Sequence, residues 1–179
     1  MKKLFLLLAI AMTPFMFWSC DKDDVESLAG ELTGYVRFTL DGQSYDYNGA
    51  VSTTTGGKFV ITTGSTQGAV TLSLENSQVG SHQLGLGNDI SAISNFIGNG
   101  FSYENLSNTL VFYPFGSDEK YIIIGGTCNI TSATSTKVKG TFSGIAKPLN
   151  ELTSFDATTL LDLIAGSNNI TGSFVAYKF

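Results

Sequence analysis

"GYVRFTLDGQSYDYNG", residues 34–49, is the stretch whose reading decides the fold class. Val36, Phe38 and Leu40 alternate with Tyr35, Arg37 and Thr39. A period of two puts one set on the apolar side of a strand and the other on its polar side. Asp41-Gly42 follows, a dipeptide that supplies the two positive-φ positions of a tight hairpin turn. Tyr45 and Tyr47 then lie on the returning strand. The stretch reads as a half-buried β-hairpin, and the rest of the chain repeats its grammar.

Downstream, "KFVITTG" (58–64), "GAVTLSLEN" (68–76) and "SHQLGL" (81–86) predict three further short strands. In the second, Val70, Leu72 and Leu74 face one way, and Thr71, Ser73 and Glu75 the other. "TLVFYPF" (109–115) and "KYIIIGGTCNIT" (120–131) resume the pattern around Gly116-Ser117-Asp118, a turn. "VKGTFSG" (138–144) and "ITGSFVA" (170–176) echo one another. Phe142 and Phe174 take equivalent inward places there, with Gly140 and Gly172 leaving room for a neighbouring ring or backbone. Between them, "FDATTLLDLIAG" (155–166) predicts a helix with Asp156 as N-cap, Leu160, Leu163 and Ile164 on one face, and Gly166 as the stop. Short strands at this spacing with a single helix predict an all-β domain over residues 34–179. The expected form is an antiparallel β-sandwich or open β-barrel with one short helix near the C-terminus.

Upstream, "MKKLFLLLAIAMTPFMFWSC" (1–20) has two lysines, an apolar run interrupted by Pro14, and small Ser19 before Cys20. A membrane-spanning helix needs about 20 apolar residues, and this order is that of a secretory signal peptide covering residues 1–19. Cys20 at the end of the run resembles the lipobox of bacterial lipoproteins, although Phe17 and Trp18 stand where Leu and a small residue are commoner. That resemblance implies cleavage before Cys20 and lipidation of its thiol and new amino terminus. Several acyl chains, at roughly 0.8 kcal/mol per buried methylene, anchor a protein stably. Residues 20–33 then form a flexible tether, whose Asp21, Lys22, Asp23 and Asp24 resemble the acidic signal that directs some Bacteroidota lipoproteins to the cell surface.

Composition restricts the partners. The chain has 10 basic and 15 acidic residues, and residues 1–19 hold two of the basic ones and none of the acidic ones. An acidic domain of this kind is not built to neutralise nucleic-acid phosphates. With Cys20 lipidated, Cys128 has no disulfide partner.

The short motifs together resemble a family of small Bacteroidota lipoproteins that share a β-rich domain of unknown function. Its first hairpin appears here as Phe38, Asp41, Gly42 and Tyr45. A "T-L-x-L" strand appears as Thr71, Leu72 and Leu74, and a third motif as Gly80, His82 and Leu84. "G-T-F-S-G" and "G-S-F" strands complete it. The resemblance covers residues 34–179, is structural, and brings no catalytic residue. Segments 88–108 and 155–166 look like insertions relative to it.

Candidate chemistry is sparse. His82, the sole histidine, falls on the face of Leu84 and Leu86 and reads as structural. Cys128 shares a face with Ile122, Ile124 and Ile130 if the pleat is unbroken through Gly125-Gly126, and a bulge there would reverse that parity. A buried thiol on that face packs as a small hydrophobe. Asp118-Glu119 reads as a solvated turn rather than half of a glycosidase pair. Asp41, Asp46 and Asn48 lack the closing Glu of a calcium loop, and "GLGND" (85–89) lacks the third glycine of a phosphate loop. The residues that point to binding are Ile93, Phe96, Ile97, Phe101 and Tyr103, apolar and aromatic side chains among Asn, Ser and Gly. Such a loop either folds over a sandwich edge or binds a protein or glycan partner.

The expectation is a lipid-anchored outer-membrane protein, outward facing, that acts as a non-enzymatic binding or interaction module without cofactor or metal. A groove lined by Tyr45, Tyr47 or Tyr103 would suit sugar or peptide. The alternatives are a structural or assembly accessory of an envelope complex and a carboxylate-dependent hydrolase.

Overall fold

The hairpin forms as the dipeptide predicts. In the computed structural model, which describes residues 33–65, 68–85, 108–153 and 166–179, strand β1 (Tyr35–Leu40) pairs antiparallel with β2 (Gln43–Asn48). Asp41 (φ 47°) and Gly42 (φ 84°) supply the turn. The Asp41 carboxylate also accepts the Asn169 N–H at 2.8 Å, so one residue shapes the turn and holds the neighbouring strand.

Eight further strands follow among the described residues: β3 (Val51–Thr55), β4 (Lys58–Ser65), β5 (Gly68–Leu74), β6 (Gly80–Gly85), β7 (Thr109–Tyr113), β8 (Tyr121–Ala133), β9 (Lys137–Pro148) and β10 (Asn168–Lys178). A short helix, α1 (Leu149–Thr153), follows β9. The strands make two layers, β2-β1-β10-β9-β8-β6 and β3-β4-β5-β7. Two corners join them. At one, β10 pairs with β3 through Tyr177↔Val51 and Lys178↔Ser52. At the other, β7 pairs with β8 through Val111↔Ile122 and Phe112↔Tyr121. Strands β3, β4, β5, β7, β8, β9 and β10 thereby close a seven-stranded ring, with β1, β2 and β6 outside it.

The expected all-β sandwich or barrel with a short helix is what forms, as a barrel whose ring is closed. The β10–β3 pairing is parallel and the other pairings are antiparallel. The cause is the chain switching layers at Gly49-Ala50. Because β2 runs antiparallel to β1, and β1 antiparallel to β10, β3 continues β2 in the direction of β10. Gly49 has φ 79° and its N–H donates to the Gly34 carbonyl at 2.9 Å. The helix expected over 155–166 lies outside the described residues, except for Gly166, which is in a turn. The strand β3, "VSTTT", was not legible as one, because its five residues carry a single large apolar side chain.

Between the layers lies the core, with Phe38, Ile61, Leu72, Phe112, Ile130 and Phe174 among its buried side chains. Burying each large apolar side chain contributes on the order of 1.5–3 kcal/mol. The echoed segments meet there as neighbours, with Gly172↔Phe142 and Phe174↔Gly140 in register. A Cβ on Gly140 would stand 2.5 Å from the Phe174 ring, and one on Gly172 would collide with Phe142. Each ring therefore lies over the other strand's glycine.

At β8 the unbroken pleat is overturned. Ile123↔Ala146 is followed by Gly125↔Ile145, which leaves Ile124 as an extra residue just before the glycine pair. The bulge reverses the parity. Ile123, not Ile122 or Ile124, joins Cys128 and Ile130 in the core cluster.

Candidate functional site

In β4, β5 and β7 every second side chain faces the core. Phe59, Ile61, Val70, Leu72, Leu74, Leu110 and Phe112 belong to the core. The intervening residues make the outer face, and many are hydroxyl-bearing: Thr53 and Thr55 on β3, Thr62 on β4, Thr71 and Ser73 on β5, Thr109 on β7. Cross-strand register sets Thr62 opposite Thr71, and Ser73 opposite Thr109. With Val60, Val111 and Lys58 they line a groove of about 530 Å³, within the roughly 300–1,000 Å³ usual for ligand pockets. Ser73 and Thr109 are buried, and Thr109 Oγ1 has no hydrogen-bond partner among the described residues.

Two hydroxyl contacts elsewhere show the contrast. The inward Thr63 Oγ1 donates to the Asn48 carbonyl at 2.8 Å, and Thr39 and Thr171 share a 2.9 Å bond on the other layer. That second bond lies in a hollow of about 510 Å³ lined by Arg37, Tyr45, Asp46 and Ser173, among others. Its charges are already matched, since Arg37 Nε donates to Asp46 Oδ2 at 2.8 Å while the guanidinium covers the Tyr35 ring. The threonine groove is thus the better candidate for an external ligand.

Of the three tyrosines weighed for a groove, Tyr45 lines a hollow and Tyr47 is in the core. The buried Tyr47 ring is stacked 4.4 Å from Phe115 and 5.8 Å from Phe38, and its hydroxyl donates to the Tyr113 carbonyl. Burial pushes its pKa from 10.0 up to about 12. Tyr45 stacks on Phe38 at 5.2 Å and lines the Arg37 hollow, while Tyr103 lies outside the described residues.

His82 is half-buried on the edge strand β6 opposite Cys128, with Nε2 at 2.8 Å from the Gln78 carbonyl oxygen. Cys128 is fully buried, and burial lifts its thiol from 9.0 to about 12, which suppresses the thiolate a nucleophile needs. Glu119 accepts a 3.0 Å hydrogen bond from Tyr121, whose pKa burial and Glu119 together raise to about 12. Among the described residues no group of three or more His, Cys, Asp or Glu side chains could hold a metal ion, and no helix is long and apolar enough to cross a membrane. Cys20, Asp21, Lys22, Asp23 and Asp24, and the loop residues Ile93, Phe96, Ile97, Phe101 and Tyr103, all lie outside the described residues.

No family model, curated protein or solved structure matches the chain. The groove escaped the sequence reading because its hydroxyls come from four strands. Thr53, Thr55, Thr62, Thr71 and Ser73 stand far apart in the sequence, and only the register brings them together.

Proposed function

We propose that this chain is a lipid-anchored envelope protein of the Bacteroidota lipoprotein type, displayed outward, and that its β domain is a non-enzymatic binding module. The observation that carries the binding reading is the groove on the outer face of β3-β4-β5-β7, where hydroxyls from four strands of the closed ring converge. Such a surface suits holding a ligand through hydrogen bonds and shape. The anchoring reading rests on the order Lys2-Lys3, apolar run, Ser19-Cys20 and acidic tether.

The test is metabolic labelling of producing cells with an alkynyl palmitate analogue, using the full-length chain and its Cys20→Ser variant. Label on the wild-type chain and none on the variant is expected. A protease site engineered into residues 25–33, cut by an impermeant protease on intact cells, reports orientation. An unlabelled wild-type chain would refute the anchor. Cleavage only after lysis would refute outward display.

A further inference from the structure

We propose that the groove of the β3-β4-β5-β7 layer binds a neutral saccharide chain, recognised by its hydroxyls. This rests on the binding-module reading and names the ligand class for it. Six groove residues, Thr53, Thr55, Thr62, Thr71, Ser73 and Thr109, carry a group that both donates and accepts. Sugar hydroxyls have the same dual character, so each contact can be satisfied in either direction. Half-buried Val60 adds apolar surface among them, matching the C–H face of a pyranose ring.

Charge and desolvation exclude the competitors. Lys58 is the only charged residue among the described residues of the lining, and the chain as a whole carries a net charge of −5, so a polyanion finds repulsion and little counter-charge. A cationic ligand finds no carboxylate among the described residues of the lining. A lipid or apolar peptide would cover the hydroxyls without giving them partners, and unpaired buried hydroxyls oppose binding. Thr109 is the independent sign. It is 4% exposed, its Oγ1 lacks a partner among the described residues, and it stands in the groove lining opposite Ser73. A purely structural position would be better filled by Val, which has the same branching and no hydroxyl to strand.

Calorimetric titration of the purified full-length chain tests this, with maltohexaose, cellohexaose, laminarihexaose and mannohexaose as neutral probes. Chondroitin sulfate hexasaccharide and palmitate serve as contrary ones. At least one neutral hexasaccharide is expected to bind, and Thr71→Val and Thr109→Val each to weaken it tenfold or more. Thr39→Val, on the opposite layer, keeps wild-type affinity. Thr109→Val also keeps or raises the thermal midpoint, which separates loss of binding from loss of fold. Silence with all four neutral probes, or unchanged affinity in both groove variants, overturns the proposal. Chondroitin sulfate or palmitate binding that Thr71→Val weakens overturns the ligand class and leaves the binding-module reading standing. The labelling experiment judges the anchor independently.

Discussion

Tyr47 concentrates several of the forces that hold this molecule. Its ring lies between Phe38 and Phe115, and its hydroxyl ties β2 to the end of β7 across the core. Gly68 leaves space for it, since a Cβ there would stand 3.0 Å from the phenol oxygen. Burial raises the phenol from 10.0 to about 12, and the sign of the consequence follows. Below pH 10 the native and unfolded chains are both protonated, and the contribution is intact. Between pH 10 and 12 the unfolded chain loses the proton first, so stability falls as pH rises, by roughly 2–3 kcal/mol for this group. Tyr47→Phe is therefore expected to cost about 1 kcal/mol at pH 8, through the lost hydrogen bond, and to make the alkaline decline shallower. Urea unfolding at pH 8 and pH 11 measures both. Tyr121 and Cys128, also raised, keep part of the decline in the variant. Equal declines in variant and wild type would remove Tyr47 as a source.

Strands β9 and β10 show what one-dimensional patterning can and cannot deliver. The echo of "VKGTFSG" and "ITGSFVA" placed Phe142 and Phe174 inward and made Gly140 and Gly172 the spaces for their neighbours, which the register confirms. Gly140→Ala and Gly172→Ala are each expected to destabilise by about 1–3 kcal/mol, because the added methyl meets a packed ring. Gly140→Ala combined with Phe174→Leu should lose less than the sum of the two, as contacting residues couple. Guanidinium titrations of the four chains close that cycle, and strict additivity would mean the ring does not press on the glycine. Alternation succeeded wherever one strand's own side chains defined its faces, as in β1, β5 and β9. It failed at β8, where the single residue Ile124, extra relative to β9, reversed the parity of everything before it. It missed β3 because Thr53 and Thr55 carry no apolar signal. It missed the groove because adjacency of Thr62 with Thr71 and of Ser73 with Thr109 belongs to pairing between strands.

At the scale of the whole molecule, closure depends on two narrow bridges rather than on long ladders. The β10–β3 bridge consists of two paired positions, and hydrogen bonds flank it. Tyr177 N–H donates to the Ala50 carbonyl at 3.2 Å, Phe179 N–H to the Ser52 carbonyl at 3.0 Å, and Ser52 Oγ to the Tyr177 carbonyl at 3.3 Å. Lys178 N–H also reaches the Thr136 carbonyl at 2.8 Å, binding the same terminus to the loop before β9. At about 0.5–1.5 kcal/mol for each of these four bonds, removing residues 177–179 should cost roughly 2–6 kcal/mol. The loss should also be local before it is global. Strand β3 keeps its pairing with β4 but gains a free edge, whereas β9 and β10 remain joined from Asn168↔Ala146 to Ala176↔Val138. Hydrogen exchange of the truncated chain should therefore show β3 and β4 amides opening faster, with those of the β9–β10 ladder least changed. Because Thr53 and Thr55 form one wall of the groove, the same truncation should weaken a bound hexasaccharide without touching any residue that contacts it. Unchanged β3 exchange would mean that β4 alone holds this wall in place and that ring closure contributes nothing to the groove.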